Sequence, residues 1–438
     1  MIKYMAYADN SVQINYLQLR KIHLMPKVSP FRGLLFNREK VSGSEVIAPP
    51  YDVISPGYKD ALYNKSPHNI VRIDFGKELP GDTASSNKYT RSAAMLEEWT
   101  RTGILVRDDE PAFYACEMDY TDMGRKKILK GIFGLVKIVE FGNGVYPHEM
   151  TRSKPKADRL DLMRHCMANV SPIYSIYNSP ERVTSKILDS IGNEPYITAE
   201  DSDGAFHKLF RIADPSKTEL ISKELSERAI FIADGHHRYE VAVEFKKEMD
   251  LKTGRTDDAA RPWDYVLMFL ANISDEGITI LPTHRMVRGI PGKEAVVEKL
   301  GADFAFKELP PDVDISSVVP EEGKHAFGLY LNTERKWYML KYLGGKLKDL
   351  HPSLNSLDVV VLHELILKRD LGITDVAYEM DVKEAMRQVH SGDYDAVFFL
   401  NPTGVDDIEG VAYANLRMPP KSTYFYPKLL TGMVINKF

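Results

Sequence analysis

Between Ala229 and Phe245 the chain switches from one hydrophobic rhythm to another. Ala229, Ile230, Phe231 and Ile232 form an unbroken apolar run of buried-strand type, while Val241, Ala242 and Phe245 recur at helical spacing. Asp234-Gly235 must then be the turn between strand and helix. The same reading predicts a strand over 67–75 ("HNIVRIDFG"), a helix over 84–102 with Ala93, Met95, Leu96 and Trp99 on its apolar side, and a hairpin over 111–141 turning at "TDMGRK". A polar loop from 145 enters a helix, followed by a strand at 170–177. Beyond the opening motif come the strands "YVLMFLANI" and "GITILPTHR". The last third alternates helix "SLDVVVLHELILKRDLG", helix "VKEAMRQVHSG", strand "YDAVFFLN" and helix "DIEGVAYAN" before an aromatic tail. Strands and helices do not keep the strict alternation of a doubly wound sheet, so the fold class is α+β: mixed sheets in two intimately packed domains. The expected boundaries are an extension over 1–24, disordered or outside the native chain, an α+β domain over 25–290 that holds the site, and a C-terminal α/β domain over 291–438.

With 44% hydrophobic and 27% charged residues in 438, the composition is globular. The 57 basic and 62 acidic residues leave a net charge of -5, so no global charge draws the protein to nucleic acid or to an anionic membrane. Anion binding must be local. Two cysteines, Cys116 and Cys166, are too few for a disulfide framework, and no apolar run reaches the ~20 residues of a membrane span. A cytoplasmic location is expected, and a homo-oligomer is compatible with it.

The chemistry concentrates where "ADGHHRY" opens a helix. A helix N-terminus carries unpaired N–H groups and partial positive charge, so His236, His237 and Arg238 are badly placed there unless they face an anion. A phosphate resting on the turn removes the objection. Arg238 can then grip phosphate oxygens, with Gly235, His236, His237 and Tyr239 around them. Asp234 beside a phosphate calls for an intervening cation, and Mg²⁺ bound by this carboxylate fits that need. The competing reading makes Asp234 an N-cap and the cations solvated surface.

A second cationic helix start, "HEMTRSKPKADRL" over 148–160, gathers Arg152, Lys154, Lys156 and Arg159 around Pro155. Two such starts in an acidic protein point to one polyanionic ligand. His148 and Glu149 precede the cluster, and Glu149 is the candidate general base. Residue 152 is Arg, so the zinc-protease spacing fails. "PTHR" (282–285) reads as structural or supporting, and "IAPPYDVISP" (47–56) as a lid or a fixed turn around Tyr51 and Asp52. There is no Walker A loop, Rossmann glycine fingerprint or GxSxG.

The segments "APPYDVIS", "NIVRIDFG", "SKPKADRLDLM", "SPIYSIY", "ADGHHRYEVA", "LPTHR", "FFLNPT" and "MPPKSTYFYPKLLTGMVI" together resemble the domain-of-unknown-function family 1015 (DUF1015) of bacteria and archaea, from about Pro30 onward. The turn Asp234-Gly235-His236-His237-Arg238 is also similar to the phosphate-binding turns of the ParB/sulfiredoxin-like proteins, including free-serine kinases. The sulfiredoxin cysteine is His236 here, which excludes sulfinic-acid reduction, and the basic DNA-binding helices of ParB have no counterpart. What the resemblance implies is ATP or ADP binding with Mg²⁺ and phosphoryl transfer to a small hydroxylated metabolite, serine being the first candidate. Asp234, Glu149, His148 and His237 would act in catalysis. A phosphatase or nucleotide hydrolase, and a non-catalytic nucleotide-responsive module, are the alternatives.

Overall fold

The computed structural model describes residues 25–122, 124–151 and 153–438. The extension over 1–24 and Arg152 lie outside them, as does the side chain of Lys154. Two large sheets with flanking helices make up the α+β architecture. The larger, of nine strands, runs Val145–Tyr146, Ile230–Asp234, Ile173–Tyr177, Tyr265–Asn272, Arg125–Lys137, Phe113–Asp122, Phe206–Ile212 and Ile197–Glu200, with Val28–Ser29 pairing to Arg125–Lys137 off that path. Ile230–Asp234 is parallel to Val145–Tyr146 and antiparallel to Ile173–Tyr177. Core residues cover both of its faces, which explains its unbroken apolar run.

The second sheet has six strands, in the order Phe304–Leu309, Lys336–Tyr342, Ala326–Leu331, Ala396–Phe399, His284–Val287 and Val376–Glu379. After it the chain returns to the first sheet's side of the molecule. Tyr424–Tyr426 pairs with Thr279–Leu281, Asn436–Lys437 pairs with Ala168–Asn169, and the Ile435 carbonyl accepts from the Leu34 N–H at 2.9 Å. This return brings the aromatic tail to the strand ends that carry the opening motif.

One expected strand is a helix. Within 67–75, Val71–Asp74 is helical, because the Asn69 side chain accepts the Val71 N–H at 3.0 Å and turns the chain. Ile70 and Ile73, three apart, are both buried on this turn. The predicted strand "GITILPTHR" is two strands, Thr279–Leu281 and His284–Val287, which belong to different sheets. No helix among the described residues is long and apolar enough to cross a membrane.

Candidate active site

The strand Ile230–Asp234 passes through Gly235 directly into the helix His236–Lys252. The pairing register shifts between Ile232 and Asp234, a bulge that sets Asp234 off from the regular ladder. Gly235 has φ 98°, which favours glycine, and a Cβ there would lie 2.9 Å from Arg238 Nε. Arg238 thus folds back across its own turn. Gly235 at the N-cap brings no side-chain cap to this helix start, the kind of turn at which helices bind anions.

The turn opens into a cleft of about 250 Å³. Asp234, Gly235, His236, His237 and Arg238 line one side, Tyr51 and Asp52 another, Glu149 and Met150 a third, and Lys421, Thr423, Tyr424 and Lys428 of the returning tail close it. Asp234 Oδ2 is 3.1 Å from Lys428 Nζ and Oδ1 is 3.6 Å from Arg238 Nη2. These cations overcome the cost of burial and hold the Asp234 carboxyl well below its ordinary range. Lys421 Nζ is 3.1 Å from Asp52 Oδ2. Glu149 Oε1 accepts the backbone N–H of Lys421 at 2.9 Å, yet burial dominates and pushes its carboxyl up to about 7. A carboxylate poised near neutrality in a cleft lined with cations has the acidity expected of a general base.

The structure redistributes several expected roles. His148 is fully buried outside the cleft lining. Its N–H donates to His236 Nε2 at 3.3 Å, its ring meets the His236 ring edge-on at 4.7 Å, and its Nε2 is 3.0 Å from Thr423 Oγ1. It packs against the turn at His236 and is not among the residues that line the cleft. Tyr239 is likewise buried outside the cleft lining, its hydroxyl donating to the Val139 carbonyl at 2.8 Å. Lys156 pairs with Glu240 at 2.8 Å, which ties the helix Ser153–Cys166 to the helix of the motif. Arg159 is buried between Asp74 (3.0 Å) and Asp158 (2.6 Å), its guanidinium 4.3 Å from the centre of the Tyr51 ring. Neither of these two cations lines the cleft; Arg159 acts on it by holding Tyr51, whose hydroxyl burial pushes up to about 12.

Asp234, where Mg²⁺ was expected, is not part of a ready-made protein metal site among the described residues. Each carboxylate oxygen already faces a cation, and no group of three or more His, Cys, Asp or Glu among the described residues could hold a metal ion. Lys428 places a positive charge beside Asp234, where a metal was expected.

Burial also holds His148 (at about 4), His236 (well below its ordinary value), and His284 and His363 (each at about 3) in the neutral form. The unfolded chain protonates them near pH ~6.5, the folded chain only well below, so stability falls as the pH drops from about 7 toward 4. Glu149 runs the other way, since its folded proton is lost near 7 and its unfolded one near ~4.3, but one group does not reverse the slope set by the histidines. Thermal melts are therefore expected to give a Tm that declines steadily from about pH 7 to 5; a flat profile would mean that these rings are not held neutral.

Lys421, Thr423, Tyr424 and Lys428 are lining residues to which pattern reading gave no role, while Asp52 was placed only in a lid or fixed turn. The available signal was local: Lys421 and Lys428 each follow a proline within an aromatic, apolar stretch, an unusual setting for solvated lysines.

No curated protein matches the chain. Among solved structures, a free serine kinase in complex with AMP is 14% identical, aligning over 67% of this chain and 86% of its own with a TM-score of 0.35. A conserved hypothetical protein from Pyrococcus furiosus is 15% identical over 68% of this chain and 92% of its own, TM-score 0.34. SbnI with a C-terminal truncation, from Staphylococcus aureus, is 11% identical over 68% and 85%, TM-score 0.33. The family described as "Protein of unknown function (DUF1015)" matches residues 28–360, and the chain belongs to that family.

Proposed function

We propose that the cleft transfers a phosphoryl group from ATP or ADP to the hydroxyl of a small metabolite, serine being the first candidate. The observation that carries this reading is Glu149, a carboxyl raised to about 7, in the same cleft as an uncapped helix start and the cations Arg238, Lys421 and Lys428. The N–H groups at Gly235–Arg238 receive nucleotide phosphates, with His237 beside them. Lys428 and Arg238 neutralise charge on the transferring group. Glu149 takes the proton from the acceptor hydroxyl as its oxygen bonds to phosphorus. The bond from phosphorus to the bridging oxygen breaks at the same centre, and the shortened nucleotide leaves with that electron pair. Such a transfer depends mainly on positioning and charge neutralisation, which these groups supply.

Phosphorus NMR on the purified protein, with ATP or ADP as the Mg²⁺ complex and with or without serine and other hydroxy metabolites, tests the reading. A phosphomonoester resonance that requires the acceptor is expected. Inorganic phosphate without an acceptor would replace the kinase with a hydrolase, and an unchanged spectrum with measurable nucleotide binding would leave a binding module.

A further inference from the structure

Arg285 lies in the second sheet, on the strand His284–Val287, and is completely buried. Among the described residues it has no carboxylate at ion-pair distance, an unusual state for a buried guanidinium. Its Nη1 donates to the Thr283 carbonyl, its Nε faces His363 Nε2 at 3.2 Å, and the Tyr378 ring centre is 5.3 Å from its guanidinium carbon. Burial lowers the pKa of its guanidinium only to about 10, so it keeps its charge at neutral pH.

Its remaining contact reaches the cleft. Nη2 donates to the carbonyl of Lys421 at 2.9 Å. Lys421 has φ 58°, a left-handed conformation that residues with a side chain adopt infrequently and that is often kept at functional sites by surrounding contacts. From this conformation its N–H bonds Glu149 Oε1 and its ammonium reaches Asp52. One residue's backbone therefore links a buried cation of the second sheet to the carboxylate of the first.

We propose that Arg285 is a positioning residue of the cleft: by holding the Lys421 carbonyl it keeps Lys421 left-handed, and so fixes the N–H bond on Glu149 and the ammonium beside Asp52. The consequence for transfer rests on the reading of Glu149 as the base; the linkage itself does not. Glu149 is faced by Lys421 and Lys428 from the tail, Asp234 from the strand Ile230–Asp234 and Arg285 from the second sheet. Arg285 and the Lys421 N–H both favour its ionised form. Losing them moves its titration to higher pH.

The test follows the Glu149 carboxyl carbon by NMR in protein labelled at glutamate, with Glu149→Gln identifying the resonance. In Arg285→Met the titration midpoint is expected to rise by about one unit. Arg285→Lys keeps a charge but loses the planar fork, and is expected to shift the midpoint the same way by less. The acid limb of kcat/KM should move with the carboxyl in each variant. A lowered Tm with the Glu149 titration unmoved in a folded variant makes Arg285 merely structural and overturns the proposal; if Arg285→Met does not fold, Arg285→Lys decides on the same criterion. A wild-type protein that transfers no phosphoryl group would remove the kinase reading, while the carboxyl titration would still decide the linkage.

Discussion

Glu149→Gln is expected to lower kcat for phosphoryl transfer by about 10²- to 10⁴-fold while nucleotide affinity stays near that of the wild type. The substitution is close to isosteric, and the amide oxygen still accepts the Lys421 N–H that now meets Glu149 Oε1. What it removes is the capacity to take a proton. With its carboxyl near 7, wild-type Glu149 gains its basic form as the pH rises through neutrality, so kcat/KM should climb along a limb centred there. In the variant that limb should vanish. A pH profile and a nucleotide titration on both proteins check the two halves together. If the Gln protein keeps the wild-type turnover and limb, another group is the base.

How much of this site was readable depended on whether each residue's partner is near it in sequence. The strand, the turn and the helix around Gly235 were legible because a fully buried strand gives a continuous apolar run, and only a residue free to adopt positive φ links it so tightly to a helix. Glu149 was legible as a carboxylate beside cations. The second cationic cluster misled: Lys156 and Arg159 look available to a phosphate from spacing alone, but Glu240, Asp74 and Asp158 claim them, and two of those lie some 85 positions away. Asp74 also shows why "NIVRIDFG" resisted reading. Its β-branched residues suggest a strand, while its place in the fold is a short helix that turns a carboxylate inward to Arg159 and, through it, to Tyr51. The tail was the largest omission. Lys421 and Lys428 join the motif only because the chain comes back after the second sheet, a long-range event with no local periodicity.

That return gives the cleft its charge balance. Asp52, Glu149 and Asp234 face Arg238, Lys421 and Lys428, and two of the three cations come from the last twenty residues. Asp234 and Lys428 sit 14–22% exposed, so neither is strongly screened, and the ammonium of Lys428 helps hold the Asp234 carboxyl in its charged form. On the proposed function, the same ammonium that neutralises Asp234 would also meet a phosphate, held in place by Asp234. Stability and ligand binding would then share one ion pair.

Lys428→Met separates those two roles. Alone it leaves the Asp234 carboxylate with Arg238 at 3.6 Å as its remaining ion-pair partner, and is expected to destabilise the fold by about 3 kcal/mol, the lower end of the cost of breaking a buried pair. Adding Asp234→Asn removes the stranded charge, and most of that stability should return. Nucleotide affinity should not return with it. Losing a charged hydrogen bond to phosphate costs about 1.5–3 kcal/mol, so Kd is expected to rise by about 10- to 100-fold in the single and the double variant alike. Denaturant unfolding and calorimetric nucleotide titration on the four proteins of the cycle measure both quantities. If the double variant regains stability and affinity together, Lys428 serves only to neutralise Asp234 and the phosphate is gripped elsewhere. If it regains stability alone, the lysine that the tail delivers is a ligand-binding cation, and Asp234 is the group that aims it.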